Sequence, residues 1–351
     1  MSHSPVTAFI LAAGLVASTA LSAAPTTPQE IANYKGQDRQ AILEAGAKKE
    51  GSVSIYCTGT QLDPLAKAFG EKYPFIRVEL YRLTPVELAR RVTEEYKAKV
   101  HNVDAFELSS NGLVAIKQQN IVMPFHSPEA AAYSEDSWGG DRSWLAVRES
   151  YVGFGVNTKV IPLDQAPKSF DDLLNPKWKD KISIISTPAT TNTWVGTLLL
   201  TKGEDFIKKV GEQNIKLHNM TGRALANLTV SGEVPFSPTT FNSHVTESKK
   251  QGASIEWIDP DAVSVIDTSV TVAVNPPHPH AAMLFIDFTL SKQGQDIYVA
   301  TGYSSPRPDV QNESVVPKKK LYLGARPNFL EEFEQWGRLY DRYIKRGAAA
   351  R

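Results

Sequence analysis

The sequence predicts an α/β protein of two lobes joined by two crossing strands, and three observations predict it. Strand-like and helix-like stretches alternate from residue 40 to residue 108 and again from 182 to 258, the pattern of parallel sheets with packed helices. Between the two sets lies Tyr151–Asn157, apolar and β-rich with two glycines and followed by the breakers Pro162 and Pro167, which reads as a strand running between lobes. Val263–Val274 is a second unbroken β-rich run, long enough to return to the first lobe. The lobes so defined comprise residues 25–150 with 267–311, and residues 151–266 with 312–351, the last part forming a C-terminal helix.

In the first lobe a charged amphipathic helix over Gln40–Glu50 precedes the strand Ser52–Tyr56, which ends at Cys57-Thr58-Gly59-Thr60. Asp63-Pro64 opens the next helix as cap and first helical residue, with Leu65, Ala68 and Phe69 on one face. The strand Arg77–Leu83, the helix Pro85–Lys99 and the strand Asp104–Leu108 repeat the unit, and the last leads into Ser109-Ser110-Asn111-Gly112. In the second lobe a short helix over Phe170–Leu174 precedes the strand Ile182–Ser186. A polar loop, Thr187 to Trp194, then caps an apolar helix at Val195–Leu200. Helix Glu204–Gly211, strand Ile215–Met220, helix Arg223–Ser231, strand Val234–Ser237, helix Asn242–Gln251 and strand Ile255–Ile258 complete that set. After the second crossing, Ala281–Leu290 is an apolar helix, and Leu330–Lys345 carries Phe333, Trp336 and Tyr340 at helical spacing.

Composition narrows the function. With 351 residues, 42% hydrophobic and 22% charged, the chain can build about two cored domains. Lys plus Arg and Asp plus Glu number 38 each, so no basic face for nucleic acid is implied. Residues 1–24 read as a secretory signal, with an apolar stretch from Ala8 to Ala17 and small residues before Pro25. Cys57 is the single cysteine, which excludes an intramolecular disulfide and reads as a partly buried strand-end residue.

Nucleophile-elbow, P-loop, HExxH and CxxC patterns are missing, and Glu107, His244 and Asp267 have no visible catalytic partners, so an enzyme is not expected and neither is a cofactor. The seven histidines are scattered apart from His278 and His280, and no metal site is expected. What recurs is hydroxyl and amide residues where strands end: Thr58 and Thr60, Ser109 and Ser110, Thr190, Thr191, Asn192 and Thr193 beside Trp194, and Thr239 and Thr240 beside Phe241. Ligands of open α/β sheets bind at the carboxyl ends of strands, where helix N-termini offer free N–H groups. Such loops, Thr58-Gly59-Thr60 among them, suit a small oxyanion, with Arg82 and Arg223 supplying bidentate charge.

Three stretches carry a family resemblance: Ser169-Phe170-Asp171-Asp172-Leu173-Leu174-Asn175-Pro176-Lys177-Trp178-Lys179-Asp180-Lys181-Ile182, Ser231-Gly232-Glu233-Val234-Pro235, and His278-Pro279-His280-Ala281-Ala282-Met283-Leu284-Phe285-Ile286-Asp287-Phe288 with Ser291-Lys292-Gln293-Gly294-Gln295. The chain resembles a periplasmic solute-binding protein of an ABC importer, in the family containing the ferric-ion-binding proteins, over about residues 50 to 310. The resemblance implies the type 2 periplasmic-binding fold, a ligand held between closing lobes, and an inner-membrane permease as partner, with the binding protein a monomer. In the ferric-binding relatives two adjacent tyrosines, a His and a Glu hold the ion. The matching places here are Thr239-Thr240-Phe241-Asn242, Thr58-Gly59-Thr60 and Ser109-Ser110. A hard ferric ion needs phenolate oxygens, so neutral hydroxyls and Phe argue for an organic or phosphorus oxyanion instead. Ferric ion with a synergistic anion is the alternative, and a secreted enzyme on the same lobes the third.

Overall fold

The computed structural model describes residues 24–346 apart from 60, 61, 84, 140, 313–315 and 327. The expected signal segment up to residue 23, and Thr60, lie outside the described residues.

The first lobe opens with helices α1 (Pro28–Asn33) and α2 (Arg39–Glu50), then β1 (Ser52–Cys57), α3 (Leu62–Lys72), β2 (Arg77–Arg82), α4 (Pro85–Lys97), β3 (Ala105–Ser109) and α5 (Ser110–Lys117). Strand β1 lies between β2 and β3, parallel to both, as the alternation predicts. Two short strands, β4 (Val122–Met123) and β5 (Trp138–Gly139), precede β6 (Trp144–Asn157), the longest strand, buried along its whole length. The crossing strand therefore begins at Trp144 and not at Tyr151. Arg148 and Glu149 hide its first half from a reading based on apolar pattern, and they are buried because partners from other elements pair with them.

The second lobe contains β7 (Ser183–Ile185), α6 (Pro188–Lys202), α7 (Glu204–Gly211), β8 (Lys216–His218), α8 (Gly222–Ser231), β9 (Phe236–Phe241), α9 (Asn242–Lys250) and β10 (Ile255–Ile258). The stretch Thr190–Trp194 is not a loop but the first turns of α6, which Pro188 opens from the N-cap Thr187. Thr239 and Thr240 lie within β9, which runs on to Phe241. The strand β11 (Val263–Ala273) then returns antiparallel to both β6 and β3, so the main sheet is mixed and its crossing strands are antiparallel to each other. Helices α10 (Pro279–Leu290) and α11 (Lys292–Ala300) go back to the first lobe, and β12 (Lys320–Leu321) pairs with β11 before α12 (Phe329–Leu339) closes the chain against α6. Helices α1, α5 and α11 have no counterpart among the elements expected from the sequence.

The apolar cores follow the lobes. One joins α2, α3, α10 and the inner face of β1, from Leu43 through Phe69 to Phe285. Another joins Phe154, Trp178, Trp194 and Phe236 to Phe329 and Trp336 of the C-terminal helix. Burying side chains of this size stabilises by about 1.5–3 kcal/mol each. The histidines at the start of α10 are structural: His278 Nδ1 lies 2.8 Å from Asp104 and His280 Nδ1 2.6 Å from Glu50.

Candidate functional site

Register brings the strand ends of both lobes to neighbouring levels of the sheet, within a few residues of one another. Arg82 ends β2 opposite Cys57, the end of β1, and Cys57 lies opposite Glu107 of β3. Ser109, the end of β3, faces Thr268 of β11, which faces Arg148 of β6. Farther along β6, Val152 pairs with Phe241, the end of β9. Helices α5 and α9 begin one residue beyond β3 and β9. The start of α8 joins them, since a Cβ on Gly222 would sit 2.8 Å from the Phe241 ring.

The first N–H groups of a helix lack intrahelical acceptors and sit at the positive end of its dipole. Two of these helices are not closed by an N-cap side chain. Ser109 makes no capping bond and donates instead to Asn111 Oδ1 at 2.5 Å, and Phe241, before α9, has no polar group to offer. Helix α8 is capped, because Ala224 N donates to Thr221 Oγ1 at 3.2 Å. Such a row can accept an anion.

Charge at the row is concentrated in a pair that the sequence reading did not find. Arg148, 8% exposed, donates from Nε to Oε1 of Glu107, 1% exposed, at 2.9 Å, and its guanidinium lies 4.5 Å from the centre of the Tyr303 ring. The second oxygen of Glu107 is buried without a hydrogen-bond partner. Asn242, the first residue of α9, accepts from Tyr151 N at 2.8 Å and from Ser150 Oγ at 3.3 Å, while its Nδ2 is buried without a partner. His244 is pushed down to about 4 by burial and then by the Arg223 charge, so its imidazole is neutral at pH 7. Cys57 is fully buried, and its thiol is pushed up to about 11 by burial and then by Glu107, which keeps it protonated and unreactive.

The expected site residues divide into three groups. Thr58, Gly59, Ser109 and Phe241 lie on the row, and Arg82 flanks it. Arg82 is held within its own lobe by an ion pair with Asp63 and by a 3.2 Å bond from Nε to the Gly59 carbonyl. Arg223 is likewise held by Glu247 and by the His244 carbonyl at 3.2 Å. Ser110 is buried and donates to Asp267. Thr239 accepts from Ile185 N at 3.0 Å, and Thr240 donates to the Ser237 carbonyl at 3.3 Å, so both hydroxyls have partners inside the lobe.

The third group turns away from the row. Thr191 and Thr193 donate to the carbonyls of Thr187 and Ala189 at 3.0 and 2.6 Å, the back-bonding that hydroxyls make inside a helix. Asn192 donates to the Phe333 carbonyl of α12 at 3.2 Å, Thr190 is buried in the same turn, and Trp194 packs in the second-lobe core. Among the described residues no group of three or more His, Cys, Asp and Glu could hold a metal ion.

Two lobes, antiparallel crossing strands and strand ends gathered at the junction define the type 2 fold of periplasmic binding proteins. Residues 108–326 match the model of the bacterial extracellular solute-binding proteins, and the chain belongs to that family. An uncharacterised protein of Haemophilus influenzae is 23% identical over 282 residues, covering 73% of this chain and 80% of the relative. Among solved structures, FutA (IdiA) of Trichodesmium, in complex with iron and citrate, is similar at a TM-score of 0.71 and 14% identity, over 84% of this chain and 99% of that one. AfuA of Actinobacillus pleuropneumoniae, with fructose 6-phosphate bound, is similar at 0.66 and 22% identity over the same shares. At these identities the likeness concerns the fold.

Proposed function

We propose that the chain is the substrate-binding component of an ABC importer, exported to the periplasm by the segment 1–24, which takes a small organic or phosphorus oxyanion between its lobes and passes it, as a monomer, to an inner-membrane permease. The observation that carries this reading is the row itself: the ends of β1, β2, β3 and β9 border β11 and β6 at neighbouring levels, Arg82 opposite Cys57, Ser109 opposite Thr268 and Phe241 opposite Val152, and the starts of α5 and α9 lack a cap side chain. Citrate and a sugar phosphate, named with two similar structures, are both oxyanions. The protein binds and releases; no chemistry is assigned to it. At the tyrosine place stand Thr239, Thr240 and Phe241, which disfavours ferric ion as the direct cargo.

Thermal-shift screening of carboxylates, phosphonates and sugar phosphates, followed by calorimetry, tests the reading. Arg82→Ala or Arg223→Ala weakens binding of the selected anion at least about tenfold, roughly 1.4 kcal/mol. Unchanged affinity in both variants places the site elsewhere, and a visible phenolate band on ferric titration restores the iron reading.

A further inference from the structure

Both crossing strands carry a buried carboxylate at the same level. Glu149 of β6 lies directly across from Asp267 of β11, an arrangement in which like charges repel. The two are bound differently. Glu149 accepts from Tyr151 Oη at 2.5 Å, from Lys320 Nζ at 2.7 Å and from the Tyr322 hydroxyl. Asp267 accepts from hydroxyls: Ser269 Oγ at 2.8 Å, and Ser110, the first residue of α5. The segment after β12 lies over them, since a Cβ on Gly324 would be 3.5 Å from Ser110 Cβ and 3.8 Å from Asp267 Oδ1. That segment continues into Leu323 and Phe329, which belong to the second-lobe core. One cluster thus touches a first-lobe helix, both crossing strands and the C-terminal segment.

We propose that Asp267 and Glu149 are positioning residues: with Ser110, Lys320 and Tyr322 they strap the start of α5 and the C-terminal segment to the two crossing strands, and so fix the angle at which the strand-end row meets its solute. The bearing on solute rests on the function proposed above; the strap itself does not. Rotation of one lobe against the other turns the crossing strands, and the bonds from Ser110, Lys320 and Tyr322 each tie one of those strands to another element.

The strap is also sensitive to protons. Asp267 faces Glu149 of β6, Ser110 of α5 and Ser269 of its own strand, and Glu149 is held in turn by Tyr151 of β6 and by Lys320 and Tyr322 of the C-terminal segment, one cation against two carboxylates. Burial first, and the Glu149 charge as well, hold Asp267 above the ordinary carboxylate range against the two serine donors. Its folded value exceeds the unfolded one. Its contribution to stability is therefore complete below about pH 4 and is lost as pH rises to the folded value, about tenfold in the folding equilibrium per pH unit across that window.

The experiment uses the full chain without solute: urea unfolding over a pH series, and small-angle scattering, for the parent, Asp267→Asn, Ser269→Ala and Glu149→Gln. Asp267→Asn, neutral at every pH, removes the tenfold-per-unit segment. Ser269→Ala extends the window to higher pH, because it takes a donor from the charged form. Glu149→Gln moves the window to lower pH and enlarges the scattering radius. A scattering radius unchanged in both Glu149→Gln and Asp267→Asn overturns the strap, and an Asp267→Asn profile that matches the parent, or a Ser269→Ala window that stays in place, overturns its proton sensitivity. Should Glu149→Gln not fold, the radius of Asp267→Asn decides. With no solute present, these outcomes are separate from the calorimetry on Arg82 and Arg223.

Discussion

Replacing Arg148 by Met removes the cation of the pair beneath the strand-end row. Glu107 is then left 1% exposed with both carboxylate oxygens unpaired, since Oε2 has no partner even in the intact protein. Breaking a buried pair from one side typically costs about 3–5 kcal/mol, because the remaining charge keeps its desolvation penalty and loses its counter-ion. Loss of the contact with Tyr303 adds to this, but the volume of the straight Met chain limits the cavity. For a folding unit of 150–250 residues, about 2–4 °C accompanies each kcal/mol, so the thermal midpoint should fall by roughly 10 °C. The double variant Glu107→Gln/Arg148→Met removes both charges and should recover at least about 2 kcal/mol of the loss, the signature of a desolvated pair in a mutant cycle. Urea unfolding of the four proteins measures this. An Arg148→Met protein within about 0.5 kcal/mol of the parent, the range of ordinary surface substitutions, refutes the argument that the pair is shielded from water.

Other substitutions probe the supports of the row. Gly211→Ala would set a Cβ onto the Tyr343 carbonyl oxygen, with the carbonyl carbon 2.9 Å away; because that obstacle is backbone, a loss of about 1–3 kcal/mol and faster proteolysis of the C-terminal segment are expected. His278 is raised above its ordinary value first by its hydrogen bond to Asp104, so it stabilises fully below about pH 6.5 and loses that contribution as pH rises through its folded value. The stability gap between the parent and His278→Gln should accordingly narrow from pH 6 to pH 9, and a gap independent of pH would show that the imidazole does not bind its proton through Asp104.

What the sequence could and could not show follows from the range of the interactions. The β1–α3–β2–α4–β3 alternation is readable because each element declares itself locally, through Asp63-Pro64 at a helix start or Leu88 and Val92 on one face. The crossing strand β11 is readable because Asp267 is the one charged residue in a run of Val, Ile, Thr, Ser and Ala without Gly or Pro. The first half of β6 is not readable. Arg148 and Glu149 look like solvated residues until Glu107, 41 positions away, and Lys320, 171 positions away, are brought beside them. Thr190 to Thr193 err in the opposite sense: hydroxyls and an amide suggest a binding loop, yet in α6 two of the hydroxyls turn back on their own helix and Asn192 reaches α12. Residue type at a strand end therefore locates a row but not which of its members are buried against partners. That choice is made by register, in which β11 pairs with β3 and with β6 from more than a hundred residues away, and a single-residue slip of β11 would exchange Thr268 for Asp267 opposite Ser109 and add a negative charge there.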